Sequence, residues 1–116
     1  MIKFRAWDND CKVIREYDEL KGLTLDALDA SDFKLEQFTG LKDVNGKEIY
    51  EGDIIKSIPN DPLFELSKVG VVTRSRIDLK WCYESGNIEH NIWASGRYRA
   101  YEVIGNVHMD GDLIDS

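Results

Sequence analysis

Cys82 and His90 are the one thiol–imidazole pair that falls within a single predicted hairpin. A nucleophilic cysteine needs a base within hydrogen-bond reach of its sulfur. If the segments holding the two residues pair closely, the alternation sends them to opposite sides, so Cys82 reads as a small strand residue. His108, Asp110 and Asp112 bring an imidazole and two carboxylates together near the C-terminal end. That donor set suits a divalent ion, but no second pair of ligands at Cys-x-x-Cys or His-x-x-x-His spacing accompanies it, and it reads as a solvated tail. Asp43-Val44-Asn45-Gly46 begins like a calcium loop and lacks the later ligands and the closing Glu, so it reads as a turn. No phosphate loop, dinucleotide fingerprint or nucleophile elbow occurs. The expectation is a chain with no catalytic residues, no metal and no cofactor, and therefore not an enzyme.

Nucleic acid is the other chemistry the residues allow. Arg74, Arg76, Lys80, Arg97 and Arg99, with Lys68, are interleaved with Trp81, Tyr83, Trp93, Tyr98 and Tyr101. On a small barrel such a mixture holds single strands by base stacking and phosphate contact. Arg74, Arg76, Lys80, Trp81, Arg97 and Arg99 are the candidate residues for that reading. Against it stands a plainer arrangement, in which the aromatics form a core and the basic side chains solvate the opposite face. The net charge of −7 and pI of about 4.8 oppose a broad phosphate-binding face, which works by releasing counterions to Lys and Arg. An acidic surface suits solubility, or a basic partner surface, instead.

The elements that must position these residues are mostly strands. Ile2–Ala6 and Cys11–Tyr17 alternate and read as an N-terminal hairpin with its turn over Trp7–Asp10. Leu25–Leu28 reads as a short helix capped by Thr24. Strands follow over Gln37–Leu41, Asp53–Ile58 (ended by Pro59), Val69–Arg74, Ile77–Glu84, Ile88–Ile92 and Tyr98–Met109. Ser85-Gly86-Asn87 closes a hairpin, and Gly105 inside a strand marks a bulge or a close backbone approach. The pattern predicts a mainly β domain: a small barrel, SH3-like in its Gly52–Ile55 and Val69–Val72 runs, or two packed antiparallel sheets, with one short helix.

The stretch Gln37–Ile55 concentrates the turn chemistry. Asn45-Gly46 is the favoured pair for a two-residue turn with positive φ at both positions, flanked by Asp43 and Lys47 in a turn expected to be solvated. Glu51-Gly52-Asp53 makes a second turn. The run FTGLKDVNGKEIYEGDII, the opening KFRAWD and the closing YEVIGNV together resemble the YopX-type family of small phage and prophage proteins. That resemblance implies a mainly β fold and a bacterial phage or prophage origin. It implies no enzyme activity and carries over no functional residue.

At 116 residues with 42% hydrophobic and 32% charged content, the chain is expected to form one globular YopX-like domain over residues 1–116. Its opening residues do not read as a signal peptide, and no apolar run is long enough to span a membrane. The expectation is a bacterial cytoplasmic protein with both cysteines free. Its partner is expected to be another protein, with homo-oligomerisation through an exposed strand edge a further route.

Overall fold

Alternating apolar and polar residues become nine strands among the described residues of the computed structural model, which describes residues 3–9, 11–16, 18, 33–60, 66–92 and 99–114. The strands are β1 (Phe4–Asp8), β2 (Val13–Arg15), β3 (Phe33–Lys42), β4 (Glu48–Tyr50), β5 (Asp53–Pro59), β6 (Lys68–Arg74), β7 (Trp81–Ser85), β8 (Ile88–Asn91) and β9 (Arg99–Asn106). They form a four-stranded sheet in the order β2-β1-β3-β4 and a five-stranded sheet in the order β8-β7-β6-β5-β9. The fold is mainly β, as the sequence predicts. The helix expected over Leu25–Leu28 lies outside the described residues, and a 3₁₀ turn is present at Gly111–Ile114. The chain divides into two compact units, Met1–Phe38 and Thr39–Ser116.

In the first unit β1 pairs antiparallel with β2 and with the start of β3. The N-terminal hairpin is as expected, but its turn lies later. Trp7 and Asp8 pair with Ile14 and Val13, so Trp7 is a strand residue and is buried, with its indole N–H donating to Asn9 Oδ1 at 2.9 Å. Asp8 holds the turn: its carboxylate accepts from the Cys11 amide and from Arg15 Nε, both at 3.1 Å. Arg5 donates to Glu36 at 3.1 Å, and Glu36 is 0% exposed. A buried carboxylate persists only with such a partner, because the uncompensated charge would cost several kcal/mol. Phe4 and Phe33 pack on Ala6 on the other face of these strands.

The second unit is built on one face of the five-stranded sheet. Ile55, Val72, Tyr83 and Tyr101 point to that face and bury themselves with Ile49, and Leu41, Trp81, Ile92 and Val103 pack around them. Each such side chain, fully buried, contributes about 1.5–3 kcal/mol. Val71 and Glu84 pair on the other face. The Gly105 reading holds: the β5–β9 register shifts between Ile54↔Gly105 and Ile55↔Val103, leaving Ile104 as the extra residue. A Cβ at Gly105 would sit 2.6 Å from Asp110 Oδ2. The bulge applies, and the close approach is made by the Asp110 side chain rather than by backbone.

Three local expectations are corrected. The Asn45-Gly46 turn has positive φ only at Gly46. The Gly46 amide donates to Asp43 O and the Asp43 amide to Lys47 O, which is a three-residue loop with Gly in the left-handed position. Nor is Asp43 solvated: it is buried. The strand expected over Ile77–Glu84 begins only at Trp81. Ser75–Lys80 is instead a closed loop, with the Ser75 amide donating to Lys80 O, the Leu79 amide to Ser75 O and the Lys80 amide to Asp78 Oδ1. Leu79 takes φ 60°, and Ile77 and Leu79 are 91% and 66% exposed. The loop's own hydrogen bonds outcompete the period-2 pattern that suggested a strand. The last strand ends at Asn106 rather than Met109, because the Asn106 carbonyl and side chain are taken up by the amides of the following turn.

Gly70 is the tightest backbone contact in the second unit. A Cβ there would lie 2.6 Å from Glu84 O and 2.9 Å from Tyr83 Cδ2, and the first of these is main chain that cannot turn aside. Gly70→Ala is expected to lower unfolding stability by about 2 kcal/mol, read as a lowered midpoint in urea denaturation.

Candidate functional site

Strand pairing decides what the reactive side chains can do together. Tyr83 is directly opposite His90 in the β7–β8 pair, and Cys82 is opposite Asn91. Cys82 and His90 therefore point to opposite faces. The His90 ring stacks on Tyr83 with centroids 5.0 Å apart on the core side. The Cys82 thiol is buried, and burial first, then the nearby Glu89, Glu84 and Asp78 carboxylates, push its pKa up. A thiol so placed stays protonated, the reverse of an activated nucleophile. The His90 imidazole is held below its ordinary value by burial and then by the positive charges of Lys68 and Arg99.

The C-terminal acids serve the backbone. Asp110 Oδ2 accepts from the Asn106 amide at 3.1 Å, and Asn106 Oδ1 accepts from the His108 amide at 3.0 Å. No group of three or more His, Cys, Asp and Glu side chains among the described residues has metal-binding geometry. Asp43 likewise holds main chain: Oδ1 accepts from the Asn45 and Lys47 amides, and Oδ2 from the Val103 amide, each at 2.9 Å. Burial is the largest influence on its carboxyl and acts upward. The amides of Val103, Lys47 and Asn45 and the Lys47 charge together outweigh it, and the pKa lies below the usual carboxylate value.

The nucleic-acid candidates divide, with Arg74, Arg76, Lys80 and Trp81 around one loop and Arg99 apart from them. Arg74, exposed, lies over the Trp81 ring at 4.5 Å and donates to Leu79 O. Arg76 and Lys80 are exposed on the same loop. Arg99 is buried on the neighbouring edge of the sheet, donating to Ser57 Oγ, Ser57 O and Leu66 O. Its guanidinium fixes the end of β5 rather than a ligand surface. Arg97 lies outside the described residues.

What the structure does bring together is the face of β6, β7 and β8 turned away from the core. The Ser75–Lys80 loop folds back over it, because Glu89 accepts from Ser75 Oγ at 2.8 Å and from the Arg76 amide at 3.1 Å. Two concavities flank Glu84. One, of about 450 Å³, is lined by Val69, Val71, Thr73, Ser85 and the Gly86-Asn87 turn. The other, of about 590 Å³, is lined by Arg76, Ile77, Asn87, Ile88 and Glu89. Ile77 and Ile88 both stand open to solvent, at 91% and 61% exposed. The sequence carries one signal for this face, the apolar-charged alternation around Glu84. The strand pattern assigned to Ile77 and Leu79 hid it.

Comparison with known proteins follows the fold. A family model described as YopX protein matches residues 10–115. The crystal structure of protein EF1440 from Enterococcus faecalis is similar over 98% of this chain and 98% of its own, at 26% identity and a TM-score of 0.68. No curated protein matches the sequence. No helix among the described residues is long and apolar enough to cross a membrane.

Two outcomes test this geometry. Asp43→Ala strands amides that now share one carboxylate and is expected to cost about 3 kcal/mol in chemical denaturation, and Asp43→Asn less. His90 is more easily protonated unfolded than folded. Its contribution is therefore complete above the unfolded pKa of about 6.5 and is lost as pH falls through the lower folded value. His90→Phe keeps the ring on Tyr83, so its thermal midpoint should fall less steeply than the parent's below pH 6.5.

Proposed function

The chain belongs to the YopX family, and we propose that it is a non-enzymatic module that binds another protein in the bacterial cytoplasm as a phage or prophage product. The observation that carries this reading is the exposure of Ile77 and Ile88 on one concave face of the second unit. Side chains of that size gain free energy when a partner covers them, and grouped apolar exposure rimmed by polar residues marks interaction surfaces. A protonated, buried Cys82 facing away from His90 supports a role without covalent catalysis. The acidic balance of the chain favours a protein over a phosphate backbone as partner.

A second reading rests on Arg74, Arg76 and Lys80, which are exposed around the half-buried Trp81. In that arrangement Trp81 and its stacked guanidinium would receive a base of a single strand, with Lys80 at phosphate.

Affinity capture from host lysate separates the two. With the protein-binding function, a stoichiometric protein is retained after nuclease treatment, and Ile77→Asp combined with Ile88→Asp lowers its recovery at least tenfold. Retention that disappears with nuclease, falls with salt and is lost on Arg74→Ala and Lys80→Ala would transfer the function to single-stranded nucleic acid.

A further inference from the structure

Among the described residues the Glu84 side chain makes no hydrogen bond and no ion pair, although it is half-buried on the sheet. Directly opposite it on β8 is Glu89. Like charges in that position repel, and a sheet normally avoids them. The two carboxylates are treated differently. Glu89 is satisfied by Ser75 Oγ and the Arg76 amide. Glu84 has no such partner, and it borders both concavities, the Val69–Val71 side and the Ile77–Ile88 side. Arg76, on the far wall of the second concavity, gives Glu89 its backbone amide.

From this arrangement we infer that the β6–β7–β8 face takes an extended protein segment that places a Lys or Arg on Glu84 and apolar side chains in the two flanking concavities. The inference rests on the protein-binding reading and names the chemistry of its partner. Charge decides the occupant. Two copies of a chain whose net charge is −7 repel on balance, which disfavours a second copy as the occupant. A basic segment relieves the existing Glu84–Glu89 repulsion as it binds, so its cation gains more here than at an isolated surface carboxylate. The apolar walls supply the area that a lone ion pair at a surface lacks.

The probe is a fluorescein-labelled dodecapeptide of alternating lysine and valine, with an alternating glutamate–valine peptide as control, followed by anisotropy on the whole chain. The basic peptide is expected to bind saturably and the acidic one not. Glu84→Gln should weaken the basic peptide several-fold, Glu84→Lys at least tenfold, and Ile77→Ser, which removes the apolar wall without adding charge, at least threefold. Glu84→Lys exchanges a repulsive cross-strand pair for an attractive one, so its thermal midpoint should equal or exceed the parent's, which guards against loss by unfolding. Equal binding of both peptides, unchanged affinity in Glu84→Lys, or light scattering that shows a dimer abolished by Glu84→Lys would each overturn the inference. In the lysate capture, a nuclease-resistant protein retained undiminished by Glu84→Lys overturns this partner chemistry and leaves protein binding standing. A parent chain that retains no such protein overturns protein binding itself.

Discussion

The carboxylate of Asp43 gathers three backbone amides from two places far apart in sequence. Two belong to its own turn, where they hold β3 and β4 in a hairpin. The third is Val103 on β9, sixty residues on. The Val44 amide adds a bond to Tyr101 O on the same strand. β9 is the last strand of its sheet, and this turn satisfies polar groups along the edge that β5 leaves open. An open edge invites pairing with another chain, and here it is capped from within. The core strand residues Tyr101 and Val103 are held in place by the same contacts. Neutralising the carboxyl would weaken all of these charge-assisted bonds together, which is why its environment keeps it ionised despite burial.

Backbone rules that act within a few residues were legible in the sequence. Alternation located β1, β5, β6 and β9, and Gly105 announced the bulge in β9. The two glycine-asparagine pairs show where such reading stops. Asn45-Gly46 has the favoured order for a two-residue turn, yet the loop is longer and only Gly46 is left-handed. Gly86-Asn87 has the less common order and forms the two-residue turn, with φ of 58° and 68°. Dipeptide preference is worth a few tenths of a kcal/mol, and what decided each case was tertiary: Asp43 had amides to hold at β9, whereas β7 and β8 needed nothing beyond a tight return. Arg99 makes the same point for side chains. As one basic residue among several it resembled a ligand contact, and only the pairing of β5 with β9 shows that Ser57 and Leu66 take its donors.

The Ser75–Lys80 loop failed the alternation rule for a reason that bears on function. Ser75 Oγ donates to Glu89 and accepts from the Ile77 amide, so one hydroxyl anchors the loop to β8 and starts its turn. With its polar groups satisfied internally, the loop does not need a sheet partner and its apolar side chains are free to point outward. Ile77 and Leu79 are then exposed by construction of the backbone, without any unsatisfied polar group that a core position would have supplied.

The core of the second unit and the concavity lined by Val69, Val71, Thr73 and Glu84 thus lie on opposite faces of the same strands. On β7, Tyr83 belongs to the core and Glu84, its neighbour, to the outer face; on β8, His90 stacks inward on Tyr83 while Glu89, its neighbour, lies opposite Glu84. Because a strand sends successive side chains to opposite sides, substitutions on the outer face leave the inner packing intact. Ile55, Val72, Tyr83 and Tyr101 hold the fold from the inner face. The coupling that remains runs through Glu89, which is both an outer-face carboxylate and the anchor of the Ser75–Lys80 loop. Removing it would release Ile77 from the concavity that it helps to wall, so Glu89 positions this surface.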